Sequence, residues 1–432
     1  MHNGKISSGA NNHRVKPIKN RRSVLGARHL IGLGVAACVA VSCISQSSAR
    51  AALDAALPRV FLLDAATLQT NRVKVQRGDP DLAPAAARLK EDARKALKTG
   101  PFSVTDKSVS PPSGDKHDYM SQAPYFWPNP ATSNGLPYIR KDGERNPEIN
   151  KIPDHRRQNE LVEAVETLAL AYYFLGDEAY AAKAASLLRT WYLEPATRMN
   201  PNLQFGQGIP GINTGRGIGL IETAGLPRVV DAIGLLHGSK SWTTADQRGL
   251  ENWYADFLDW MQTSRHGKDE AAAKNNHGTY YDVQVVSFAL FLGKKKRAVE
   301  VLTAARQKRI AAQIERDGRQ PQELARTKSW GYSVMNLRGL MNLARLGEHV
   351  EVDLWHFETP DGRSLRKALD YLVPFTLKEA KWPHQQIGGW SRDGLFPLLR
   401  IAAVKMPGPN DAERLGKMPA GDPAARSRLT GM

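Results

Sequence analysis

Apolar positions along the chain recur at steps of three and four rather than two. Leu161, Val165, Leu168, Tyr172 and Leu175 form one stripe, and Leu337, Leu340, Met341 and Ala344 repeat the pattern. Further helices are predicted near 81–98, 178–192, 217–236, 243–263, 279–292 and 295–314. Long alternating runs of the strand type are scarce. Leu175-Gly176-Asp177, Leu292-Gly293-Lys294 and Leu346-Gly347-Glu348 each set a glycine just past an apolar helix end, where a left-handed residue closes a helix. A new helix is expected after each. The pattern reads as stacked helical hairpins, an all-α fold, with irregular spacing and no true sequence repeat.

Two stretches break the helical pattern. Residues 101–156 are rich in Pro, Gly, Asn and aromatics, and residues 196–216 hold Pro201, Gly206, Gly208, Pro210, Gly211 and Gly215. Ordered loops of that length inside a compact domain are often functional. The tail, 406–432, is Pro-, Gly- and Arg-rich and is expected to be loose.

Residues 1–51 differ from the rest. They carry Lys5, Arg14, Lys16, Lys19, Arg21, Arg22, Arg28 and Arg50 and no acidic residue. The apolar run 30–44 is short for a membrane span and suits a signal core, and Ala49-Arg50-Ala51 fits a small-x-small cleavage site. Arg21-Arg22-Ser23-Val24-Leu25 ahead of it resembles a twin-arginine export signal. The expectation is a bacterial chain exported to the periplasm or medium, with no membrane attachment after signal removal. Loss of those eight basic residues takes the net charge from +17 to +9. Cys38 and Cys43, the two cysteines, go with them, which excludes disulfides, thiolate catalysis and cysteine-ligated metals from the mature chain. A protein that stays basic favours an acidic polymer as partner, though a solvated surface of mixed charge accounts for the balance equally well. Nucleic acid is not expected of an exported chain without a clustered Lys/Arg stripe. The oligomeric state is left open.

Three segments could carry chemistry. The first runs from Lys116-His117-Asp118-Tyr119 through Tyr125-Phe126-Trp127 to Tyr138, Arg140 and Glu148. Sugar rings present apolar faces that stack on aromatics, and their hydroxyls and carboxylates need polar partners. Lys116, His117, Tyr119, Tyr125, Trp127 and Arg140 supply both, which makes them candidate sugar contacts. The alternative is a Pro-locked loop whose aromatics plug the core. The second segment, Lys274-Asn275-Asn276-His277-Gly278, precedes a helix expected from about Thr279, where amides also serve as caps. The third is Glu323-Leu324-Ala325-Arg326-Thr327-Lys328-Ser329-Trp330-Gly331-Tyr332. Arg326 and Tyr332 are six apart, so a bend is needed to bring them together. The histidines His117, His155, His237, His266, His349, His356 and His384 have no compact ligand spacing, so neither metal nor cofactor is expected.

In this order and separation, Asn-Asn-His, then Glu-Leu-Ala-Arg, then Tyr, the segments resemble the alginate lyase superfamily of polysaccharide lyases. Lys116-His117-Asp118-Tyr119-Met120-Ser121-Gln122-Ala123-Pro124-Tyr125 resembles its glucuronan (cellouronate) lyase branch. The likeness spans roughly 100–345. It implies an incomplete (α/α) toroid over residues 52–405 with a substrate cleft, and a β-elimination on an acidic polysaccharide or oligosaccharide. It also implies that Asn276 and His277 bind the substrate carboxylate, that Arg326 supports charge there, and that Tyr332 is the catalytic tyrosine, with Tyr280 and Tyr281 in reserve. Asn275, Glu323 and Trp330 are placed with the substrate-binding set. One residue can take the C5 proton and return it to O4 when both lie on one ring face. Tyr332 suits this if nearby positive charge lowers its pKa from about 10; His277 is the alternative base. The competing readings are a glycoside hydrolase, which would need two facing carboxylates among Asp118, Glu148, Asp154, Glu222 and Glu323, and a non-catalytic glycan binder.

Overall fold

The computed structural model describes residues 57–431; the export segment expected at 1–51 lies outside them. Helices α1 (Ala65–Gln76) and α2 (Ala83–Ala96) open the described chain. After a long irregular stretch come α3 (Asp154–Leu175), α4 (Glu178–Leu188, extended by a π-turn at Arg189–Leu193), α5 (Leu226–Leu235), α6 (Thr244–Thr263) and α7 (Arg265–Ala271). Then follow α8 (Asn276–Phe291), α9 (Lys295–Ala305), the short α10 (Pro321–Leu324), α11 (Ser329–Gly347), α12 (Leu365–Thr376) and α13 (Phe396–Lys405).

Neighbouring helices build two layers. α3, α5, α8 and α11 touch in succession, and α2, α4, α9 and α12 back them. This is the (α/α) toroid of helical hairpins that the apolar periodicity implies. An inner helix must be apolar all round. In α8 every residue except His277 is buried. Gly176 (φ +74°) and Gly293 (φ +71°) close α3 and α8 as expected, and α4 and α9 follow directly. Gly347 departs from the expectation. It stays inside α11, because a Cβ there would sit 2.2 Å from the Val352 carbonyl, and the left-handed residue is Glu351 (φ +58°).

The irregular stretches form two small ribbons. β1 (Met120–Gln122) pairs in parallel with β4 (Phe205–Gly208), and β2 (Phe126–Trp127) pairs antiparallel with β3 (Ile139–Arg140). The first ribbon joins the two stretches singled out above, and the second lies within the first stretch. The tail is not loose. It folds into α14 (Asp411–Gly416) and α15 (Ser427–Thr430), buries Leu429, and ties Arg426 to Glu163, Glu166 and Thr167. Arg426 thus meets a carboxylate pair on α3, and Arg414 meets Asp370 on α12. None of the described helices is long and apolar enough to cross a membrane.

Candidate active site

The first half of the site sits at the start of α8. That helix begins at Asn276, three residues earlier than expected, so Asn276 and His277 lie in its first turn. Asn275 is the N-cap, its side chain accepting from the His277 N–H. Asn276 is buried and donates its backbone N–H (2.6 Å) and its Nδ2 (2.7 Å) to the two oxygens of Glu323. His277 Nδ1 lies 2.8 Å from Oε1 of the buried Glu270 on α7. With that bond on Nδ1, Nε2 is the nitrogen presented outward, and it makes no hydrogen bond to a described residue. Arg309 braces the turn beneath, donating to the carbonyls of Ala271 and Ala273 and to Asp282. Gly278 is required here, since a Cβ would sit 2.3 Å from Arg309 Nη1.

The second half lies between α10 and α11. Tyr332 is in the first turn of α11 and Arg326 in the connection before it, so the bend that a spacing of six demands is present. Arg326 Nη2 donates to Tyr332 Oη at 3.0 Å, and its guanidinium carbon stands 3.9 Å from the ring centre. Tyr125 Oη lies 2.9 Å from Tyr332 Oη. Asp142 clamps the other side of Arg326, accepting from Nε and Nη2, and also accepts from Thr327 and Arg140. Burial tends to raise the Asp142 pKa, but the bonds from Arg326 and Thr327 win and hold the carboxyl below its usual range.

Tyr332 behaves otherwise than expected. Burial and the bond to Tyr125 push its phenol up, and Arg326, though adjacent, does not reverse this. The resting side chain is a neutral phenol. Arg326 also differs from the expectation that its donors face a substrate carboxylate: Nε and Nη2 are engaged by Asp142 and Tyr332.

The halves are joined electrostatically. Glu323, its carboxyl raised by burial, feels both Arg326 and His277. Arg216 feels Arg140 on one side and Glu270 and Glu222 on the other. It is half-buried, lies 5.1 Å from the Phe126 ring centre and donates Nη2 to Gln207 at 2.8 Å.

Several expected sugar contacts have other work. Tyr119 is fully buried, and its hydroxyl donates to Glu222 at 2.7 Å, so it cannot stack on a sugar. Trp330 is buried against Trp382 and Trp390, with Nε1 on the Ser391 carbonyl, and is a core residue. Glu323 is a buried bracket for Asn276. Lys116 and His117 belong to a turn whose contacts run to Lys107, Arg198 and Asn200, not to the phenol cluster. Tyr280 and Tyr281 are buried and donate their hydroxyls to the carbonyls of Met335 and Met261, and neither touches the Tyr125–Tyr332–Arg326 cluster, which weakens them as substitutes. Trp127 and Arg140 stay at the surface of the β2–β3 ribbon, with Lys141 5.3 Å from the Trp127 ring centre.

Asp142, Glu270 and Arg216 were not singled out from sequence. Asp142 lies inside the loop already flagged, one residue before a glycine, but nothing local ties it to Arg326. Arg216 ends the second glycine-rich stretch. The hydrolase reading finds no free carboxylate pair. Asp118 accepts from Ser113, Asn200 and Asn202, Glu148 from Tyr138 and Asn146, Glu222 from Tyr119 and Ser121, and Asp154 pairs with Lys107.

A two-layered helical toroid with a phenol and guanidinium at the start of one inner helix, and an imidazole and amide at the start of the inner helix packed against it, points to a class, the polysaccharide lyases that act on polyuronates. The family model described as Alginate lyase matches residues 103–382. An alginate lyase from Bacteroides ovatus is 40% identical, covers 87% of this chain and 99% of its own, and superposes with a TM-score of 0.84. Alginate lyase A1-III from Sphingomonas species A1 is 16% identical over 87% of this chain and 97% of its own, with a TM-score of 0.56, a likeness in fold. A histidine-to-alanine variant of that enzyme, complexed with a tetrasaccharide, matches with a TM-score of 0.53. No curated protein gives a significant match. The chain belongs to the alginate lyase family.

Proposed function

We propose that this enzyme depolymerises a β-1,4-linked polyuronate by syn β-elimination, leaving 4,5-unsaturated uronate ends, with glucuronan as the favoured polymer and polymannuronate next. The observation that carries the reading is the Tyr332 hydroxyl held between Tyr125 Oη and Arg326 Nη2, with Glu323 feeling both Arg326 and His277. The C5 proton is a weak acid while the neighbouring carboxylate is ionised, so donors that neutralise developing charge carry much of the rate. Asn276 and His277 open α8, where the helix N-terminus favours an anion. A neutral Tyr332 phenol suits proton delivery to O4. Two groups qualify as base: the same oxygen, stabilised as phenolate by Arg326, or His277 Nε2.

Mannuronate and glucuronate differ at C2, away from the bond that breaks, so one catalytic set serves both. The choice between them falls to contacts such as Trp127 and Arg140. The preference for glucuronan rests on the 116–125 motif. Export to the periplasm or medium belongs to the same proposal and rests on the basic, acid-free first fifty residues.

Glucuronan, polymannuronate and polyguluronate, each followed by the ultraviolet absorbance of the unsaturated product, test the substrate. Tyr332→Phe is expected to abolish that absorbance while folding and oligouronate affinity persist. Near-normal turnover in the variant would reject the assignment.

A further inference from the structure

Several part-buried guanidinium groups among the described residues are paired. Arg189 grips Asp246, Arg228 grips Glu166, Arg309 grips Asp282, Arg326 grips Asp142 and Arg366 grips Asp411. Arg216 is half-buried and forms no ion pair with a described residue. Its Nε is buried with no hydrogen-bond partner, and its one hydrogen bond to a described residue goes to a neutral amide, Gln207. Glu222 and Glu270 are close enough to be felt but spend oxygens on Tyr119, Ser121 and His277. Taking a guanidinium out of water without a counter-charge is costly. Burial and the nearby Arg140 lower its pKa to about 10, which leaves it charged in neutral solution.

The surroundings are built to hold it there. Gln207 adopts a left-handed backbone (φ +51°), an uncommon conformation for a residue with a side chain. Its N–H donates to Ser121 Oγ at 2.7 Å, and its Oε1 receives Arg216. Across the same ribbon, opposite Gly208, Gln122 has a buried Nε2 with no partner. The ribbon thus carries one unengaged donor of its own, the Gln122 amide, and holds a second, Arg216, through Gln207. Arg216 lies 5.1 Å from the ring centre of Phe126, next to Tyr125, and feels the Glu270 that holds His277. Arg326, the guanidinium expected to meet the carboxylate, has Nε and Nη2 engaged by Asp142 and Tyr332.

Resting on the polyuronate lyase reading, we infer that Arg216, aided by the Gln122 amide, receives the carboxylate of the uronate that loses its C5 proton and neutralises it in the transition state. The balance is that of the elimination itself: the C5–H electrons form the C4–C5 double bond, the O4–C4 bond breaks, and O4 leaves with a proton. The charge that accumulates on the carboxylate as the C5–H bond breaks falls on the guanidinium.

The test compares the free polyuronate with its methyl ester, in which the carboxylate is already neutral. Arg216→Gln should lose roughly 100- to 1000-fold in kcat on the free acid, the cost of one preorganised donor. On the methyl ester the loss should be less than about ten-fold, and Arg216→Lys should fall between wild type and Arg216→Gln on the free acid. Thermal unfolding and oligouronate binding in a Tyr332→Phe background separate misfolding from lost chemistry, and Arg216→Lys keeps the test open if Arg216→Gln does not fold. Equal losses on acid and ester would overturn the inference and make Arg216 a support for Glu270 and His277. Unaltered kcat on the free acid would overturn it outright. A wild-type enzyme inert on every polyuronate would instead bring down the functional reading, and the inference with it.

Discussion

Removal of Asp142 by Asp142→Ala should unlatch the phenol half of the site. Asp142 accepts from Arg326 Nη2 at 2.8 Å and from Nε at 3.2 Å, from Thr327 N at 3.1 Å and Oγ1 at 3.0 Å, and from Arg140 at 2.7 Å. Breaking a buried ion pair by deleting one partner costs ~3–5 kcal/mol. The Arg326 and Asp142 side chains remain 15% and 18% exposed, so solvent screens part of that loss. The expected destabilisation is about 2–4 kcal/mol, read by urea unfolding. Turnover should fall by about 10- to 100-fold, because Arg326 is then free to leave the Tyr332 hydroxyl. The pH dependence gives an independent reading. The Asp142 carboxyl is depressed in the folded state. Its contribution is therefore full above the unfolded-state pKa of about 4 and is lost as pH falls through the folded value. The wild type should lose more stability than Asp142→Ala on acidification from about pH 6 to about pH 3. A folded Asp142→Ala enzyme with wild-type turnover and the same acid sensitivity would refute the latch.

Two further substitutions probe separate parts of this picture. Tyr125→Phe removes a bond that raises the Tyr332 pKa while burial remains; the alkaline limb of the kcat/KM profile should move to lower pH, and an unmoved limb would mean that Tyr332 does not set it. Trp330→Ala should cost ~3–5 kcal/mol in unfolding free energy, as expected for an emptied aromatic core position, with the KM of the surviving folded enzyme near wild type; a large KM rise would return Trp330 to the sugar-contact set.

The helical layers were legible because an inner helix has to be apolar on every side and a hairpin has to stop its first helix, and both demands write themselves into local sequence. Leu161 to Leu175 and the glycines 176 and 293 are such signals. Asn276, His277, Arg326 and Tyr332 were legible through resemblance, not spacing. What local pattern could not carry was the pairing of distant charges. Nothing around Glu270 marks it as the partner of His277, and nothing around Asp142 marks it as the partner of Arg326, 184 positions away. Aromatic residues misled for a related reason. Tyr119, Trp127 and Trp330 have the same chemistry in sequence. Only packing decides that Trp127 stays at the surface while Tyr119 serves Glu222 and Trp330 fills the core.

The proposed catalytic groups and the candidate specificity groups occupy different kinds of structure, and this has a mechanical consequence. His277 and Tyr332 stand in the first turns of α8 and α11, inner helices in direct contact, so their mutual geometry is set by the core. Trp127 and Arg140 lie on a two-residue ribbon whose hold on that core includes Asp142 and the Tyr125 hydroxyl. Changes at the ribbon tip can alter which uronate is accepted without disturbing α8 or α11. Changes at Asp142 or Tyr125 cannot, because these residues belong to the loop by sequence and to the phenol by contact. Substrate preference should therefore be separable from turnover at Trp127 and inseparable from it at Tyr125, Asp142 and Arg140, whose guanidinium also donates to Asp142.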